Sequence, residues 1–192
     1  IYVATDDARI IDAVAEYDVI GVMTSEDHES GTDRLAEVAQ LHQFDDDDIV
    51  VNLQGDEPLI EPELLQQVAQ LLVSNEASIS TLMTPITSVD DLLNPNVVKV
   101  VSGENNKALY FSRAPIPYPR DAFSKTKCIM PEGSYYRHLG LYAYKVSALI
   151  KIPTLPASEL ESIEKLEQLR PLSSGLNIVV ENACMIPKAG VD

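Results

Sequence analysis

The stretch Gln54-Gly55-Asp56-Glu57-Pro58 places an amide and two carboxylates directly behind Ile49-Val50-Val51-Asn52-Leu53, where four of five residues are aliphatic. Such a run reads as a strand covered on both faces, as in a parallel sheet flanked by helices. Gly55 permits a tight bend and Pro58 has no amide for the ladder, so the strand stops there. In open α/β sheets this carboxyl edge is where ligands bind. The alternative is a polar turn with solvated acids.

A second candidate is Ser30-Gly31-Thr32, at the start of a helical pattern, where backbone amides form an anion site. Arg34 in the first turn opposes the helix dipole, which suits a side chain that meets a phosphate, or else one held in a surface ion pair. Neither GxxxxGK[ST] nor GxGxxG occurs, so there is no P-loop and no dinucleotide fingerprint. Arg137-His138 lies among Tyr135, Tyr136, Tyr142 and Tyr144. A lone histidine is as readily a hydrogen-bonded structural residue as a catalyst, and the tyrosines suit a core or an interface. Glu164, Glu167 and Gln168 fall at helical spacing and are expected on one helix face, by default a solvated one. Asp45 to Asp48 reads as a solvated acidic turn.

The elements that must position these groups follow from periodicity. Ile1 to Ala4 is a strand, Thr5-Asp6-Asp7 caps a helix to about Glu16, and residues 19–22 form a second strand. A helix is expected from about Thr32 to His42. Another runs from Glu61 to Ser74, with Pro62 in its first turn and Leu64, Leu65, Val68, Leu71 and Leu72 as its buried stripe. Ala77 to Met83 is a strand, and Val89 to Leu92 is a helical turn closed by Asn94-Pro95. This alternation is the doubly wound α/β pattern. The pattern then changes: residues 97–101 and 108–111 read as a hairpin, and Tyr135 to Tyr144 as a further strand. A helix over residues 160–172 and a strand over 177–180 complete the chain. The expectation is one α/β domain over residues 1–192, Rossmann-like, with a mainly parallel or mixed sheet between helices and a small antiparallel insertion at about 97–145.

A chain of 192 residues with 45% hydrophobic content supports one such core. The net charge of -16 excludes a nucleic-acid partner and means that an anionic substrate needs local cations or a metal. Cys128 and Cys184 give neither a disulfide framework nor metal-ligand spacing, consistent with a reducing compartment. No apolar run approaches the ~20 residues of a membrane span, and no signal peptide is visible. The chain opens inside a strand pattern without an initiator Met and closes at Gly190-Val191-Asp192, so it reads as an internal piece of a longer protein.

Several motifs occur in one order: HESGTDR (28–34), QGDEP (54–58), NPNVVKV (94–100), ALYFSR (108–113), RHLGLY (137–142), LEQLR (166–170) and GVD (190–192). Together they resemble the 3-deoxy-manno-octulosonate (Kdo) cytidylyltransferases, the CMP-Kdo synthetases of Gram-negative bacteria, over essentially the whole chain. The resemblance implies a nucleotidyltransferase fold and the reaction of CTP with Kdo to give CMP-Kdo and pyrophosphate, for lipopolysaccharide assembly. It also implies magnesium, a cytoplasmic location and a homodimer formed through the antiparallel segment. By motif, Asp56 and Asp192 are implied as catalytic, magnesium-binding carboxylates. Ser30, Arg34 and Gln54 are implied on the nucleotide side, and Arg137, His138, Tyr142, Glu167 and Gln168 on the sugar side. The family's first βα unit, with its triphosphate loop, and its closing helix have no counterpart here, which implies truncation at both ends. CMP-sialic acid synthesis, activation of 8-amino-Kdo, and a non-catalytic dimerising piece are the alternatives. RHLGLY and LEQLR favour Kdo.

Overall fold

The computed structural model describes residues 1–28, 30–55, 57, 59–124 and 129–187. Strand β1 (Tyr2–Thr5) leads into helix α1 (Ala8–Val14), whose first turn is capped by the Asp7 carboxylate accepting from the Arg9 amide. After β2 (Ile20–Met23), Ser30 caps α2 (Gly31–Leu41) by accepting from the Asp33 amide. Then come β3 (Ile49–Asn52) and α3 (Pro62–Val73), with proline in the first turn where its missing N–H costs nothing. Strand β4 (Ile79–Pro85) precedes the short α4 (Val89–Leu93), capped by Ser88. The remainder is β5 (Lys99–Ser102), β6 (Ala108–Ser112), α5 (Arg120–Phe123), β7 (Tyr136–Lys145), α6 (Val146–Lys151), α7 (Glu159–Glu164), α8 (Leu169–Ser173) and β8 (Ile178–Asn182).

The chain divides into two units, Ile1–Asp48 with Lys145–Leu155, and Ile49–Tyr144 with Pro156–Asp192. In the first, β1 and β2 pair in parallel, as a strand-helix-strand crossover requires. Helix α2 buries Ala36, Val38 and Ala39 and packs on α6. Tyr2 sets its ring edge-on to His42 and Phe44, with centroids 4.7 and 5.1 Å away.

The second unit holds a mixed sheet in the order β6-β5-β7-β4-β8, with β3 also paired to β7. Strands β4 and β8 are parallel, while β4–β7, β5–β7 and β5–β6 are antiparallel. The β5–β6 hairpin turns through Asn105 and Asn106 at φ 56° and 59°, a left-handed region that asparagine tolerates. Leu64, Val68, Leu71 and Leu72 of α3 bury against Leu82, Leu139, Leu141, Ala143 and Val179 of the sheet. Each such aliphatic side chain contributes roughly 1.5–3 kcal/mol relative to exposure. This is the stripe the periodicity predicts, with Leu65 only partly buried at its margin.

One expected helix is broken. Residues 160–172 form α7 and α8, separated at Lys165, which adopts φ 53° and donates its amide to Glu161 O. Glu164 therefore does not share a helix face with Glu167 and Gln168. The cause is Arg113. Its Nε donates to Glu164 O at 2.7 Å and its Nη2 to Lys165 O at 3.2 Å, taking carbonyls that a continuous helix would need. The Glu164 carboxylate is held as well, by Ser112 Oγ at 2.6 Å and the Arg113 amide at 2.9 Å.

Beside this junction Lys99 is fully buried. Its ammonium donates to the carbonyls of Asn94, Val97 and Arg113 at 2.8, 2.5 and 2.6 Å. Burial lowers its pKa below the ordinary lysine value, against the opposing pull of the Glu164 charge. Lys99→Met leaves three acceptors unpaired in the interior, so we expect a stability loss of about 3–5 kcal/mol, read as a lowered urea midpoint at unchanged slope. A midpoint within experimental error of wild type would show that the carbonyls are satisfied some other way.

Candidate active site

Strand β3 ends at Asn52, itself buried, and the chain turns through Gln54, whose carbonyl accepts from the Glu57 amide at 3.1 Å. That turn borders a cleft of about 180 Å³, whose walls include Gln54, Glu57 and Ile60 on one side and Arg137, His138 and Gly140 of β7 on the other. The cleft thus lies where the sequence expects a ligand, past the carboxyl end of β3. Asp56 and Asp192 lie outside the described residues.

His138 is held from several directions. Its amide donates to Val98 O at 2.8 Å, and its Nε2 lies 3.0 Å from Thr81 Oγ1. The Phe111 ring stands edge-on to it at 5.0 Å, and Tyr142 packs against it at 5.2 Å. Burial, and then the neighbouring Arg137 charge, push its pKa down to about 3, so the imidazole is neutral at ordinary pH. Tyr142 in turn stacks on Tyr144 at 5.7 Å. Its hydroxyl is buried and has no hydrogen-bond partner among the described residues. Burial raises its pKa well above the tyrosine norm, with Tyr144 and the Glu167 carboxylate adding to the effect. Glu167 is thus electrostatically coupled to Tyr142, and Gln168 stands at the N-cap of α8.

Ser30 and Arg34 belong to the first unit. The Ser30 hydroxyl is engaged as the α2 cap. Arg34 donates to Asp6 at 2.6 Å and to Thr24 Oγ1 at 2.5 Å, so the ion pair that its position allowed is formed. That contact lowers the Asp6 pKa.

A family model described as cytidylyltransferase matches residues 1–178. The chain is 51% identical over 193 residues to the 3-deoxy-manno-octulosonate cytidylyltransferase of Alcanivorax borkumensis, covering 100% of this chain and 76% of that protein. It is 52% identical over 197 residues to that of Psychromonas ingrahamii, covering 100% and 77%. A solved structure of CMP:2-keto-3-deoxy-manno-octonic acid synthetase complexed with CTP matches with a TM-score of 0.87 at 42% identity, over 100% of this chain and 74% of that one. The chain belongs to the 3-deoxy-manno-octulosonate cytidylyltransferase family. It is a nucleotidyltransferase, with the mixed α/β fold expected of one.

Within this cytidylyltransferase the structure brings Gln54, Arg137 and His138 to one cleft, with Tyr142 against His138. Two contributors were not singled out from the sequence. Asn52 was read only as a strand residue, although an amide at the end of an aliphatic run is a signal in itself. Thr81 sits inside an apolar strand, and its contact with His138 spans 57 residues, so nothing local points to it.

The neutral state of His138 has a measurable consequence. Between about pH 3 and the ordinary 6.5, the unfolded chain holds a proton on this histidine that the native chain lacks. Stability contributed above 6.5 is therefore lost as pH falls through that window. In urea titrations from about pH 7 to about pH 4, wild type should lose stability relative to His138→Gln as the pH drops. A constant difference across the range would mean that His138 protonates normally.

Proposed function

We propose that this chain transfers CMP from CTP to the anomeric hydroxyl of Kdo. The hydroxyl oxygen bonds to the α-phosphorus as the bond to the pyrophosphate leaving group breaks. The observation that carries the reading is the identity of about half over the whole chain to relatives named for this reaction. The cleft is in keeping with it: its walls include a cation, Arg137, beside the Gln54 amide and the Glu57 carboxylate. Both reactants are anions, so catalysis here is chiefly positioning and charge offset. A cytidylyltransferase assay with CTP and a panel of Kdo, 8-amino-Kdo and sialic acid, read by pyrophosphate release, tests it. Release with sialic acid but not with Kdo would overturn it.

Magnesium is part of the proposal. Asp56 and Asp192 are hard carboxylate donors of the kind this ion takes. Bound there, the ion would offset phosphate charge. Asp56→Ala or Asp192→Ala in the full-length protein should lower kcat by at least about 10²-fold. Turnover near wild type in either variant would remove that residue from the metal site. A homodimer, a cytoplasmic location and a place upstream of lipopolysaccharide assembly complete the reading. No helix among the described residues is long and apolar enough to cross a membrane.

Tyr142 separates a binding role from a packing role. A buried hydroxyl without an acceptor costs stability, and removing it while keeping the ring is neutral or stabilising. Tyr142→Phe should therefore raise the KM for Kdo about tenfold, leave the KM for CTP unchanged, and leave the melting temperature equal or higher. A lowered melting temperature with unchanged KM for Kdo would make the hydroxyl purely structural.

A further inference from the structure

Strand β7 carries two more residues than β4 where the two pair. Thr81 stands opposite Tyr142, but its neighbour Leu82 stands opposite Leu139. Gly140 and Leu141 are the surplus, so β7 bulges there, beside the cleft. Thr81 has no exposed surface and faces the bulge. Its Oγ1 lies 3.0 Å from Leu139 O, 2.8 Å from Leu141 O and 3.0 Å from His138 Nε2.

A threonine hydroxyl has one proton to donate, and a carbonyl can only accept. If that proton went to Nε2, both carbonyls would face an oxygen lone pair at hydrogen-bonding distance. If it goes to one carbonyl while Nε2 carries a hydrogen and donates to Oγ1, only one such contact remains. The second arrangement is the better satisfied. We infer that Thr81 is a positioning residue that locks His138 as its Nε2–H tautomer, leaving Nδ1 as a fixed lone-pair acceptor for a substrate hydroxyl.

The consequence is chemical selectivity. The amide bond to Val98 and the flanking Phe111 and Tyr142 rings restrain the imidazole. With Nε2 committed to Thr81, Nδ1 is the ring nitrogen left to meet a ligand. An unprotonated Nδ1 accepts from O–H or N–H groups and offers nothing to a carboxylate or phosphate oxygen. His138 is thereby assigned to a hydroxyl of the sugar rather than to an anionic group, and this last step rests on the Kdo reading.

The test is a long-range ¹⁵N–¹H spectrum of the full-length protein carrying ¹⁵N-labelled histidine, without substrate. His138 is assigned among the three histidines by the loss of its signals in His138→Gln. Wild type and Thr81→Ser should show a protonated Nε2 and an unprotonated Nδ1. Thr81→Val should show the two nitrogens averaged by tautomer exchange. A protonated Nδ1 in wild type would overturn the inference, and that measurement stands even if Thr81→Val does not fold. A wild-type spectrum in a folded Thr81→Val protein would overturn it too. In assays, Thr81→Val should raise the KM for Kdo about tenfold with the KM for CTP within about twofold, and Thr81→Ser should restore it. Equal loss for both substrates would make Thr81 merely structural. A Thr81-dependent tautomer in a protein that does not turn over Kdo would support the tautomer while removing the Kdo reading.

Discussion

An ammonium group with no exposed surface is tolerated only if its hydrogens are all accepted nearby, and Lys99 meets that condition with three main-chain carbonyls. Those carbonyls belong to Asn94, Val97 and Arg113, so one side chain fixes the approach to β5 and the exit from β6 together. The same exit delivers Arg113, which takes the carbonyls of Glu164 and Lys165 and ends α7. The turn carrying Glu167 and Gln168 follows directly. The apolar packing of α3 on the sheet decides that a sheet forms, and this polar junction decides where its edge loops run. Hydrophobic burial is non-directional, whereas a carbonyl cage around an ammonium admits few geometries.

What could be read from the sequence followed the range of the interactions. The α3 stripe, the Asp7 cap and the β5–β6 hairpin depend on neighbours a few residues away, and they formed as expected. Gln54, Arg137 and His138 were legible as candidates because each follows or interrupts an apolar run, and the cleft gathers them. The break at Lys165 was not legible. The spacing of Glu164, Glu167 and Gln168 is fully helical, and the guanidinium that overrides it lies 51 residues upstream. Lys99 was hidden in a valine-rich strand pattern, and the bulge in β7 was hidden because alternation assumes one register along the whole strand. Arg34 left two options open, and of these the ion pair is formed, with Asp6 28 residues away.

The charge distribution in the described residues bears on how such an acidic chain could handle two anionic reactants. Several of its cations are occupied: Lys99 by carbonyls, Arg113 by the α7 terminus, Arg34 by Asp6 and Arg170 by Glu161. Among the described cleft residues the cation is Arg137. Its neighbour His138 does not double that charge, because the burial that holds the ring between Phe111 and Tyr142 disfavours the imidazolium, and Arg137 disfavours it further. Adjacent residues of one strand thus carry, on opposite faces, a permanent positive charge and a neutral imidazole. A second cation in place of the neutral imidazole would strengthen binding of any anion, phosphate and sugar acid alike, and would discriminate less between them. Keeping the histidine neutral spends no attraction on the feature the reactants share. On the proposed reading it leaves the contact to the hydroxyls, which distinguish a polyhydroxy acid from other anions, at any pH well above about 3.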